Sequence, residues 1–160
     1  MKLKFALAAA AALVAAPAYM SASAQQADVY VSGGYTQFNG DGGADLGGIT
    51  GRVGVGFGQH FAIEGEGSFG VNDDSGTELD SELGVFGVAK LPISPQFDIF
   101  ARAGWSRIET SPGGDQDGAA YGVGGQWNLT EKDGIRGDWT RHDYDVGDVD
   151  AYSLSYVRKF

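Results

Sequence analysis

Over residues 97–105 the odd positions are Phe97, Ile99, Ala101, Ala103 and Trp105, while the even ones include Asp98 and Arg102. A period of two puts the apolar side chains on one face of an extended strand and the ionised ones on the other. Residues 61–69 repeat the scheme with Glu64 and Glu66 on the second face, and residues 49–57 do so with Arg52. Tyr121, Val123, Trp127 and Leu129 alternate with Gly122, Gly124, Gln126 and Asn128, and Ile135, Gly137 and Trp139 oppose Arg136, Asp138 and Thr140. The last run sets Tyr152, Leu154 and Tyr156 against Ser153, Ser155 and Val157 and ends at Phe160. Residues 83–91 leave the faces open, because Phe86 and Val88 on one compete with Val85, Ala89 and Leu91 on the other. No segment carries a sustained helical period with caps.

Two kinds of break separate these runs. Short ones sit at residues 58–60, 93–96 and 130–133. Longer, acidic and glycine-rich ones sit at residues 39–45, 72–78, 110–117 and 144–148, where Gly, Asn, Asp and Ser favour turns. Three turns and four loops delimit eight strands, and corresponding breaks recur every ~33 to 38 residues, the length of a hairpin with its connections. The pattern predicts an all-β chain of eight antiparallel strands in up-and-down order.

Residues 1–24 have the features of an export signal. Lys2 and Lys4 make a short positive start, residues 5–16 are apolar, Pro17 interrupts, and Ala22-Ser23-Ala24 offers a small-x-small cleavage site. The expected mature chain is residues 25–160, one domain. The apolar run falls short of the ~20 residues a membrane-spanning helix needs, and no later window is apolar enough, so any crossing must be made by strands. Without Lys2 and Lys4, nine basic residues face 21 acidic ones, a formal charge of −12. That balance excludes a general nucleic-acid binder. With no cysteine, disulfides and thiolate sites are excluded as well.

Alternation alone does not say whether the oily face points into a soluble barrel or out into lipid. The placement of the rings breaks the tie. Phe57, Phe61, Phe97, Trp127 and Phe160 gather by the short turns, and Tyr35, Phe69, Trp105, Tyr121 and Trp139 gather toward the long loops. Between these bands the same face is mostly Val, Ile, Ala and Gly, as expected for aromatic girdles at two bilayer interfaces. Turns short at one end and loops longer at the other fit an outer-membrane barrel with periplasmic turns and external loops.

Several features together resemble the small eight-stranded outer-membrane β-barrel family, which includes the opacity-type proteins and the barrel half of the OmpA-type proteins. They are the signal, the hairpin period, Lys90-Leu91-Pro92 followed by residues 94–104, the run Gly134-Ile135-Arg136-Gly137-Asp138-Trp139, and a terminal Phe160. The resemblance covers essentially the whole mature chain. It implies an outer-membrane location, and it implies that Tyr152, Leu154, Tyr156 and Phe160 form the C-terminal signal read by the barrel-assembly machinery. The match departs at Arg158, where an apolar or aromatic residue is usual.

The interior of eight strands is only about wide enough for side chains. Charges there must be paired, because an isolated buried ion costs several kcal/mol. The expected network joins Arg52, Arg102, Arg136 and Lys90 to Glu64, Glu66, Asp98 and Asp138. His60 falls at a short turn, and His142 falls near a loop beside Thr140 and Asp143. There is no G-x-S-x-G elbow and a triad is defined by geometry, so no catalytic residue, cofactor or metal is assigned. The acidic run at residues 143–150 lacks EF-hand spacing and reads as a solvated loop. The functional expectation is a non-enzymatic, monomeric outer-membrane protein with a structural or surface-interaction role, meeting lipid and lipopolysaccharide. A narrow ion-conducting pore and a soluble lipocalin-like carrier of a small apolar ligand are the alternatives.

Overall fold

The structure, a computed structural model, describes residues 28–43, 45–71, 78–111 and 114–160. The export signal read at residues 1–24 lies outside them. Eight strands follow one another: β1 (Asp28–Gly40), β2 (Asp45–Phe57), β3 (Phe61–Gly70), β4 (Glu78–Pro92), β5 (Phe97–Ser111), β6 (Gly114–Asn128), β7 (Asp133–Tyr144) and β8 (Gly147–Lys159). Each pairs antiparallel with the next, and β8 pairs with β1 to close the barrel. Closure removes the open sheet edges that lipid would leave unpaired. The β2–β3 turn is tight enough to need Gly58 at φ +69°, a conformation that side chains disfavour.

Much of what reads as loop is strand. β5 runs to Ser111 and β6 restarts at Gly114, and only residues 145–146 separate β7 from β8. Cross-strand pairing carries the extended backbone well into the acidic stretches. Arg107 pairs with Asp117 and Glu109 with Asp115. The hairpins therefore project at this end: β5 has five residues on the short-turn side of Arg102 and nine on the other.

Residues 83–91 resolve cleanly. Phe86 and Val88 point into the barrel, and Val85, Ala89 and Leu91 point out. Through the lower two thirds of the wall the apolar side chains face outward and the polar ones inward. Ile63, Val85, Ile99, Trp105, Val123 and Leu154 are exposed, while Arg52, Glu64, Arg102 and Arg136 are buried. Beyond Trp105, Trp139 and Tyr152 the pattern inverts, and in the same region β4 shifts register once against β5, between Leu79 and Ser81. Arg107, Glu109, Asp143 and Asp148 now take the outer positions, and Phe38, Leu46, Ile108 and Tyr144 turn inward. The wall thus matches an apolar surrounding along about nine residues per strand, the length that crosses hydrocarbon when tilted, and matches water above it.

Inward aromatic rings fit because the facing strand carries glycine. A Cβ on Gly54 would stand 2.1 Å from Cζ of Tyr30, and one on Gly124 would stand 2.5 Å from Cζ of Phe100.

Candidate functional site

The interior is layered. Nearest the short turns, Tyr30, Ala62, Val88, Phe100 and Val157 form an apolar cluster. Above it lie three guanidinium groups and three carboxylates. Glu64 and Glu66 are two residues apart on β3, as Arg136 and Asp138 are on β7, so each pair shares the inner face. Arg52 is the cross-strand neighbour of Glu66 and bonds it through Nε. The same guanidinium donates to both oxygens of Asp138, at 2.8 and 3.1 Å, in a fork that suits arginine geometry. Arg102 donates to Glu66 at 2.8 Å and sits 3.8 Å from Glu64 and 3.7 Å from Asp138. Arg136 clasps Glu64 with both terminal nitrogens, and Tyr30 donates its hydroxyl to Glu64 at 2.6 Å.

These six formal charges cancel, as burial requires. Two of the cations also lie on rings, Arg102 3.6 Å above Phe86 and Arg136 3.9 Å above Phe100.

The structure brings six of the eight expected network residues together and leaves two out. Lys90 sits 4.2 Å over the ring of Tyr30. Asp98 accepts from Asn128 at 2.9 Å, and Asn128 in turn accepts from Lys159 at 2.8 Å. Each is two residues nearer the short turns than a member of the lower apolar cluster, Val88 or Phe100. That cluster separates them from the guanidinium layer.

Above the ion pairs runs a chain of hydroxyls that alternation alone does not single out. Ser153, Thr36, Thr50 and Ser68 are linked at 2.6, 2.7 and 2.8 Å. Arg52 donates to Ser153 at one end, and Ser68 donates to the buried carboxyl group of Glu82 at the other. Glu82 stands just before residues 83–91, whose faces the sequence leaves open, so the side on which it lies is not legible either.

His142 also points inward, with Thr140, and its Nδ1 is 2.8 Å from Oγ of Ser106. Its ring stacks on Tyr144 at 5.8 Å. Asp143 faces outward, on the opposite side of the strand. Both Ser106 and His142 are only 1% exposed, so this pair fills the bore and does not border a cleft. A second apolar cluster of Phe38, Leu46, Leu79, Ile108, Tyr144 and Ala151 covers it.

On the outside, Tyr35, Phe57, Phe61, Phe69, Trp105, Tyr121, Trp127 and Phe160 are exposed, while Phe97 and Trp139 are half-buried among their neighbours. Phe97 meets Trp127 edge-on by the short turns, and Tyr121 meets Trp139 edge-on toward the loops. Trp139 donates its indole N–H to Asp150 at 3.1 Å, a polar tip reaching up from an apolar body. Tyr152, Leu154 and Tyr156 line the outer face of β8. Arg158 continues that face and donates to Asp133 at 2.6 Å, and the hydroxyl of Tyr156 donates to the same oxygen.

Residues 6–160 match the outer membrane protein beta-barrel domain family. The chain belongs to that family. Its location is accordingly the outer membrane. Among solved structures, this outer-membrane barrel is similar to Ail, the attachment invasion locus protein of Yersinia pestis. The TM-score is 0.62 at 17% identity, covering 85% of this chain and 100% of Ail. It is equally similar to the N-terminal β-barrel domain of OprF from Pseudomonas aeruginosa, with a TM-score of 0.62 at 16% identity over 84% of this chain and 100% of that domain. A de novo designed transmembrane β-barrel gives a TM-score of 0.59 at 9% identity, covering 86% and 98%. Agreement with a designed sequence at so low an identity marks these likenesses as likenesses of fold. No curated protein sequence matches the chain.

Proposed function

We propose that this outer-membrane barrel is a sealed, non-enzymatic envelope protein with a structural or surface-interaction role, presenting its acidic hairpins outside the cell. In this reading residues 1–24 direct export and are removed. Residues 25–160 then insert as a monomer with the help of the assembly machinery, which reads Tyr152, Leu154, Tyr156 and Phe160. Lipid and lipopolysaccharide surround the girdles, and neither nucleic acid nor a cofactor is engaged.

The observation that carries the sealing is the vertical stacking. A charge-neutral layer of Arg52, Arg102, Arg136, Glu64, Glu66 and Asp138 lies between two apolar clusters, one headed by Tyr30 and Phe100 and the other by Phe38 and Tyr144. An ion crossing that stack would have to displace rings at both ends and then leave a layer whose charges are already matched.

Planar-bilayer recording tests it. The purified barrel should give no stepwise conductance. Steady small steps that disappear in Arg102→Ala would instead establish the narrow pore.

A further inference from the structure

Where the wall pattern inverts, the upper apolar cluster does not quite fill the mouth. A recess of about 180 Å³ opens there, floored by Phe38, Leu46, Ile108 and Tyr144 and edged by Asp41 and Asp148. It stays open on one side because β6 outruns β7. Their pairing stops at Gly118 and Tyr144, so the segment Gly114 to Asp117 stands without a β7 neighbour and Gln116 borders the gap.

We propose that this recess binds a small amphiphilic amine, with a single aromatic ring or short alkyl body on the apolar floor and the ammonium group at the rim beside Asp41, where Asp148 adds negative potential from the outer side. Three observations carry this. The volume suits one ring, since a cavity of roughly 150 Å³ accepts benzene. The floor is held in place before any ligand arrives: the Tyr144 hydroxyl is 3.0 Å from Oγ of Ser106, its ring stacks on His142, and Phe38 meets His142 at 6.4 Å.

The edge selects the sign of charge. The amide of Asp41 donates to the carbonyl of Asp148, and the amide of Asp148 donates to a carboxylate oxygen of Asp41, both at 3.2 Å. This clasp fixes the two acids side by side. Among the described residues Arg141 approaches Asp148 no closer than 3.9 Å, and no ion pair reaches Asp41. The surrounding hairpins add Glu109, Asp115, Asp117, Asp143 and Asp145 against Arg107 and Arg141, so the mouth attracts cations and repels anions.

The recess is small, so affinity in the millimolar range is expected. The test is amide NMR of the barrel in lipid nanodiscs, titrated separately with 2-phenylethylammonium, 2-phenylethanol and phenylacetate. The amine should produce saturable shifts confined to residues of the mouth, with the alcohol weaker and the acid weakest. Asp41→Asn should reduce the preference for amine over acid by about two- to fivefold. Ile108→Trp, which fills the recess, should abolish saturation while the rest of the spectrum stays that of the folded barrel. Equal responses to all three probes, shifts that never saturate, or saturation unchanged in Ile108→Trp would each overturn the proposal. None of these outcomes bears on whether the bore below conducts, so failure here is separate from failure of the sealed-barrel reading.

Discussion

Glu64→Ala is expected to lower the stability of the barrel by about 3–5 kcal/mol, read as the shift of its urea-unfolding transition in lipid vesicles. Glu64 is 0% exposed and accepts from Tyr30 and twice from Arg136, with Arg102 3.8 Å away. Its removal leaves three buried guanidinium groups facing two carboxylates, and a buried charge without a partner costs far more than a lost hydrogen bond. The double variant Glu64→Leu with Arg136→Met removes one charge of each sign and restores neutrality. It should recover at least ~2 kcal/mol of the loss, because groups in one network are coupled and their single costs do not add. If the double variant were instead as unstable as the sum of the two single ones, cancellation of charge would not be what holds the layer together.

Val85→Arg is the second large effect, and it comes from the opposite face. Val85 is 62% exposed, pairs with Gly65 on one side and Trp105 on the other, and lies between the two girdles. On a soluble protein an arginine at so open a position would cost within ~0.5 kcal/mol. In the middle of a bilayer it should cost about 2–4 kcal/mol. Asp143→Arg, also outward but above the inversion and opposite Ala119 and Asp148, should cost nearly nothing. The comparison uses the same introduced side chain at two exposed sites, so only the surroundings of the wall differ. Equal costs at the two sites would place water or lipid against both.

The barrel was legible in the chain because lipid outside and ion pairs inside both act on a period of two. Six of the eight strands state it plainly, and the girdle residues could be named because large rings on the oily face cluster at strand ends. What stayed hidden depended on register. Tyr30, Phe86 and Phe100 stand on the polar face, where a ring looks like noise until Gly54, Gly84 and Gly124 are seen making room for them. Lys90 and Asp98 share a face with the network but not a level, and level is set by the stagger between strands. The acidic stretches looked like loops because composition reports flexibility and solubility. Asp115 and Asp117 are instead strand residues whose outward faces meet water. Ile108 and Leu46 carry the sign of that change, apolar on what is elsewhere the polar face.

The central claim is that the oily face of the wall touches acyl chains. Fluorescence quenching by brominated lipids tests it most directly, using variants that keep one of Trp105, Trp127 and Trp139 and replace the other two by Phe. Trp105 and Trp127 are each 57% exposed on the outer wall, and Trp139 leans on Tyr121 in the upper girdle. All three should be quenched, and more strongly by bromines near the headgroup end of the chain than by bromines near its terminal methyl. Emission that stays undimmed in brominated bilayers would contradict the account.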